Sequence, residues 1–190
     1  MIYDAKPRSI LHVTKSRLPI VGVMGSSAEE HVDLALPLGK WLAEEGVHLL
    51  TGAGEGVMAA VSRAFHEVEG RRGMVIGIVP GTGRIGGYEP RDGYPNPWVE
   101  IPVYTHLPLS GRRGTDPMSR NHINVLSADV LIALPGGEGT ASELELARRY
   151  GRPAIAFVRA AADIPGIPVG TQVATELDDV RAFVSGHLKR

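Results

Sequence analysis

The chain has 190 residues, 43% of them hydrophobic, with twenty basic and twenty-one acidic side chains and a formal charge of −1. That length and composition suit one globular domain with a sizeable core, and the balanced charge gives no global attraction to nucleic acid or to an anionic membrane. The lack of cysteine excludes disulfides, thiolate metal sites and cysteine nucleophiles, and no stretch approaches the roughly 20 apolar residues of a membrane span.

Residues 1–18 scatter Asp4, Lys6, Arg8, Lys15 and Arg17 among apolar residues and lack the continuous apolar core of a signal peptide. They read as an N-terminal tail, residues 19–190 read as one domain, and the expected location is cytoplasmic. Pro19-Ile20-Val21-Gly22-Val23-Met24 is an apolar β-branched run, predicted as a buried strand turning at Gly25-Ser26-Ser27. Ser27 and Glu30 have the spacing of a capping box, and Leu34, Leu38, Trp41 and Leu42 recur at helical spacing as far as Gly46. Pro37 should kink that helix or shift its start. Val47–Thr51 reads as a second strand, and after Gly52-Ala53-Gly54-Glu55-Gly56 a helix runs through Val57, Ala60, Val61, Ala64, Phe65 and Val68 to Gly70. Met74–Val79 is a third strand, closed by Pro80-Gly81.

Residues 81–116 break the rhythm with a Gly- and Pro-rich excursion around one short strand, Val99–Tyr104. Alternation resumes with a helix over Met118–Ser127, a strand over Val130–Leu134, a Gly-rich loop, a helix over Thr140–Tyr150 stopped by Gly151, and a last strand, Ala154–Val158. A loop over 160–170 then leads to a closing helix, Thr175–Leu188, with Leu177, Val180 and Val184 inward. The predicted fold is α/β: a single Rossmann-like domain with a parallel β-sheet and helices on both faces.

Pro135-Gly136-Gly137-Glu138-Gly139-Thr140 lies between a buried strand and a helix. Three glycines allow a tight turn with amides facing outward, and free amides at a helix N-terminus attract anions, so this loop is expected to bind the phosphate of a nucleotide-like ligand. The turns containing Gly25, Ser26 and Ser27, and Gly52, Gly54 and Gly56, also follow strands and should line the same sheet edge. The first turn lacks the G-x-G-x-x-G spacing and the second strand ends Thr51-Gly52 without an acidic residue, which disfavours NAD. No Gly-Lys-Ser/Thr triplet exists to form a P-loop. No helical pair of histidines or other metal-ligand spacing appears, so no metal is expected. Tyr88, Tyr94 and Trp98 lie in the excursion, where an aromatic ring could stack on a base or pterin, although loop cores use aromatics as well.

Arg120 opens the helix before the loop strand and should project near the same edge, to clamp a phosphate or orient a sugar. Glu143 has two readings that the residues leave equally open, the end of a Thr140-x-x-Glu143 capping box or a catalytic carboxylate.

The run Pro135-Gly136-Gly137-x-Gly139-Thr140-x-x-Glu143, with Arg120 upstream, resembles the LOG family, and the likeness extends through Gly25-Ser26-Ser27, Thr51 to Met58 and Gly77 to Pro80. Characterised members of that family are nucleoside 5′-monophosphate phosphoribohydrolases that release cytokinin bases. The resemblance implies a homodimer with Arg120 and Glu143 at the positions of the catalytic pair, no cofactor requirement, and an AMP-like nucleotide as substrate. The family's hydrolases read Met-His-Glu-Arg-Lys where this chain has Pro117-Met118-Ser119-Arg120-Asn121, and the segment 120–127 is similar to a sister group that includes molybdenum cofactor carriers. Such a carrier would bind molybdopterin as cargo without turning it over, and a nucleotide-binding sensor is the other non-catalytic alternative. Family members are often labelled lysine decarboxylases, but a pyridoxal phosphate enzyme needs a Schiff-base lysine. The four lysines here, Lys6, Lys15, Lys40 and Lys189, lie in the tail, on a helix flank and at the C-terminal end, which argues against that chemistry.

Overall fold

The computed structural model describes residues 17–84 and 88–188. The expected tail falls outside this range except for Arg17 and Leu18, and Arg17 pairs with Asp129 at 2.6 Å. Among the described residues seven strands, all parallel, form one sheet: β1 (Ile20–Met24), β2 (His48–Thr51), β3 (Val75–Val79), β4 (Ile101–Tyr104), β5 (Val130–Ala133), β6 (Ala154–Phe157) and β7 (Gln172–Ala174). Their spatial order is β4-β3-β2-β1-β5-β6-β7. Among the described residues the α-helices are α1 (Val32–Glu44), α2 (Val57–His66), α3 (Asn121–Ser127), α4 (Glu138–Tyr150) and α5 (Leu177–Leu188).

The two-residue period of the strands divides the core. Val21, Val23, Leu49, Val75, Val130, Ile132, Ile155 and Phe157 face α1, α2 and α5 in one cluster. Met24, Leu50, Ile78 and Leu131 face the other way, with Val125 of α3 and Leu146 and Ala147 of α4. Leu38, Leu42, Phe65, Ile132 and Leu146 are fully buried, and each such side chain contributes about 1.5–3 kcal/mol relative to exposure.

The structure differs from the sequence expectations in several local respects, and α3 starts at Asn121, three residues after its expected start. The Ser27–Glu30 capping box does not form, because α1 starts beyond it at Val32 behind His31, which has a left-handed backbone and makes no side-chain cap. Ser26 Oγ instead accepts from the N–H groups of Ala28 and Glu29 (3.1 and 3.0 Å), and Pro37 lies inside the helix. β7 precedes the closing helix and pairs with β6, so Ala154–Phe157 is not the last strand. α4 starts at Glu138, two residues before its expected start.

Strand order runs one way from β1 through β2, β3 and β4, and the other way from β5 through β6 to β7. The reversal lies between β1 and β5, the place in an open parallel sheet where a crevice forms beyond the strand ends. Met24 is in register with Ala133, so both strands end at the same level.

Candidate functional site

The loops after β1 and β5 meet at this reversal. Leu134 N donates to Met24 O at 2.8 Å, and Ser26 N donates to Pro135 O at 2.9 Å. The approach is close enough that only glycine fits at position 136, where a Cβ would lie 2.2 Å from Thr140 Oγ1 and 2.9 Å from Ser26 N. The chain then enters α4 at Glu138 with Gly137 as N-cap and no side-chain cap. The first intrahelical bond runs from Ala141 N to Gly137 O at 3.1 Å. The amides of Glu138, Gly139 and Thr140 therefore have no intrahelical acceptor, and the helix dipole adds positive potential there.

A cleft of about 370 Å³ opens over this helix start. Its walls include Gly25, Ser26, Ser27, Gly137, Gly139, Thr140, Arg120 and Glu143, so eight of the residues singled out in the sequence come together. Gly52 and Gly54 lie behind the wall, where Gly52 O accepts from Arg120 and Gly54 O from Asn96 Nδ2. Gly56 is the N-cap of α2. Pro135 and Gly136 border an adjoining cavity on the far side of the loop, and Glu138 is exposed in a 3.2 Å pair with Arg112. The cleft also takes in Met24, Met58, Ser110, Gly111 and Asn121. Of the three candidate stacking aromatics only Tyr94 reaches it, since Tyr88 packs edge-on against Tyr104 and Trp98 lies beside His66.

Arg120 is buried, and its Nη1 donates to Gly52 O at 2.6 Å and to Ile78 O at 2.7 Å. These carbonyls belong to the ends of β2 and β3, so this nitrogen joins two strand ends to the head of α3 and is not a free phosphate clamp. Tyr94 lies 5.5 Å from the guanidinium carbon, ring centroid to Cζ, and Nε is buried without a partner. Burial lowers the guanidinium pKa, and Tyr94 and Glu143 oppose that fall.

Glu143 does not complete a capping box. With α4 starting at Glu138, it is the sixth helical residue, and its Oε1 accepts from Asn124 Nδ2 at 2.7 Å. Burial pushes its pKa up to about 7, although the Asn124 amide and the Arg120 charge both pull it down. Desolvation outweighs the nearby cation because the carboxyl has lost nearly all of its water. A buried carboxyl near 7 on a cleft wall suits proton transfer at neutral pH.

Fold and cleft define an open, parallel, Rossmann-like α/β protein with a polar ligand-sized site at its topological switch point. Residues 18–181 match the SLOG cluster4 family, and the chain belongs to that family. Among curated proteins, the cytokinin riboside 5′-monophosphate phosphoribohydrolase LOG of Oryza sativa subsp. japonica is 36% identical over 114 residues, 59% of this chain. The match spans about two-fifths, 39%, of the rice enzyme's length. Among solved structures, the molybdenum cofactor binding protein of Rippkaea orientalis is 28% identical with a TM-score of 0.68, over 92% of this chain and 99% of its own. The Moco carrier protein of Chlamydomonas reinhardtii is 30% identical with a TM-score of 0.67, over 90% and 98% of the two chains. No helix among the described residues is long and apolar enough to cross a membrane.

Proposed function

We infer that the cleft binds a phosphorylated, nucleotide-like ligand and hydrolyses the N-glycosidic bond of a nucleoside 5′-monophosphate. The observation that carries this reading is Glu143, a buried carboxyl with a pKa near 7 on the wall of the cleft that the α4 amides face. The 5′-phosphate sits on the amides of Glu138, Gly139 and Thr140, remote binding energy that orients the sugar. Glu143 takes a proton from water as the water oxygen bonds to C1′. The C1′–N bond breaks, its electron pair leaves with the base, the base takes up a proton from solvent, and Glu143 returns its own to solvent. Arg120 holds the strand ends that frame the sugar and supplies positive charge beside the carboxylate. The rice relative, a cytokinin riboside 5′-monophosphate phosphoribohydrolase, supports the reading.

One finding favours a second reading, a non-catalytic carrier of molybdopterin. The cofactor-binding protein of Rippkaea orientalis aligns over nearly all of both chains, whereas the rice enzyme aligns over a part. The same amides would hold the pterin's phosphate.

Purified protein incubated with AMP and an isoprenylated AMP should release free base and ribose 5-phosphate. Glu143→Gln should slow release by about 10²–10⁴-fold, the usual worth of a general base, without loss of fold. The wild-type rate should rise with pH through about 7 as Glu143 ionises. Equal background release from both proteins, with a melting temperature raised by molybdopterin, would replace the hydrolase reading with the carrier.

The homodimer that the family resemblance implies also belongs to this proposal. Register places Ile76 opposite Ile101, and the outward face of β3 and β4 carries Ile76, Ile101 and Val103 on the side of the sheet that holds α3 and α4. Ile101 and Val103 are exposed, as is Leu126 on α3. A second copy would cover this apolar face.

A further inference from the structure

The carboxyl of Glu143 is held by a side chain that the function above does not use. Asn124 is fully buried on α3, and while its Nδ2 donates to Glu143 Oε1, its Oδ1 is buried with no hydrogen-bond partner. Three residues earlier, Asn121 Nδ2 donates to Ser142 Oγ at 2.9 Å, and Ser142 Oγ donates to Gly139 O at 2.7 Å. The i, i+3 spacing puts both amides on the face of α3 that packs on α4. Tying the two helices together accounts for Asn121. It does not account for the bare acceptor of Asn124, because a buried polar atom without a partner costs free energy that an apolar side chain of similar shape avoids.

We propose that Asn124 is a positioning residue that holds Glu143 in both of its protonation states, donating through Nδ2 to the carboxylate and, after a half-turn of the amide, accepting through Oδ1 from the carboxylic acid. The proposal rests on the hydrolase reading, in which Glu143 becomes an acid once it has taken a proton from water. An ionised carboxylate only accepts hydrogen bonds, whereas a protonated one must also donate. The asparagine amide carries a donor and an acceptor on one rotatable group, and its unpartnered oxygen is the acceptor that the protonated state requires. Oε1 faces α3 in the carboxylate, and once Oε2 has taken the proton a half-turn of the carboxyl brings the hydroxyl against Oδ1. Oε2 has no partner among the described residues, and Glu143 lines the cleft where water would arrive. Arg120 is the charged group acting directly on this carboxyl, and Tyr94 and Arg91, both from the excursion, act on Arg120 in turn.

The test follows the side-chain amide resonances of Asn124 by ¹H–¹⁵N NMR in the intact protein, from about pH 5 to about pH 9, a range that brackets a carboxyl raised by burial. Glu143→Gln serves as reference, and base release from AMP is measured over the same range for wild type and Asn124→Leu. The Asn124 resonances should move with the midpoint of the Glu143 carboxyl, and that movement should vanish in E143Q. Asn124→Leu loses both bonds, and because the bond to the carboxylate is the stronger, the difference should shift the acid limb of kcat upward by about one pH unit, with KM unchanged. Release of base with Asn124 resonances that ignore Glu143's titration would overturn the pairing and leave the hydrolase reading intact. Titrating resonances without base release would overturn the hydrolase reading and leave the pairing intact. Because the NMR measurement uses the native chain, it decides the pairing even if N124L fails to fold.

Discussion

A carboxyl that releases its proton near pH 7 when folded, against an ordinary value of 4.5, makes stability depend on pH with a definite sign. Between those two values the native protein keeps a proton that the unfolded chain has released. The contribution is therefore fully present below about 4.5 and is lost as pH rises through about 7. The loss at alkaline pH is roughly 3 kcal/mol. Glu143→Gln has nothing to titrate there, so urea unfolding should show it gaining on wild type as pH rises. Parallel pH curves for the two proteins would refute a buried, neutral Glu143. The sequence exposed this residue and Arg120 but not their surroundings. Arg120 spends one nitrogen on carbonyls 68 and 42 positions away, and such long-range acceptors carry no local signature. Asn121 and Asn124 were readable only as polar residues at i, i+3. Their burial marks the contact face of α3, and that signal appears only once α4 is known to lie against it.

Between elements, α1 meets α2 at a residue that helix propensity would reject. Gly39 lies inside α1, where alanine would ordinarily gain about 1 kcal/mol. A Cβ there would meet the Val61 carbonyl oxygen of α2 at 2.5 Å, and backbone cannot move aside as a side-chain tip can. Gly39→Ala should therefore destabilise by about 1–3 kcal/mol in thermal or urea unfolding, overpacking outweighing propensity. A stabilised variant would mean that α1 and α2 can separate without loss. The strands and helices themselves were legible because their apolar periods are regular. Helix starts were less so: the S-x-x-E and T-x-x-E patterns suggested caps at Ser27 and Thr140, but packing at the switch point begins α1 later and α4 earlier. β7 was missed because three residues, two of them exposed, give too short an alternation to distinguish from a loop.

For the whole molecule, the open face of β3 and β4 is the place to test assembly. Light scattering after size exclusion should give twice the mass of one chain, and Val103→Asp should halve it while leaving the far-UV circular dichroism unchanged. A wild-type monomer would remove the homodimer from the proposal. The parallel sheet was readable from the strand–helix alternation, and the glycines after β1 and β5 pointed to a common edge. The position of the reversal between them depends on pairings that no single segment encodes. The bonds from Arg120 to the ends of β2 and β3 also bear on how the site meets a ligand. They are made by the chain alone, so the ordering entropy of these loops is already spent in folding, and little of it remains to be lost on association. Capture of a small anion should then follow simple one-step kinetics, its observed rate linear in ligand concentration, with no slow rearrangement trailing the encounter.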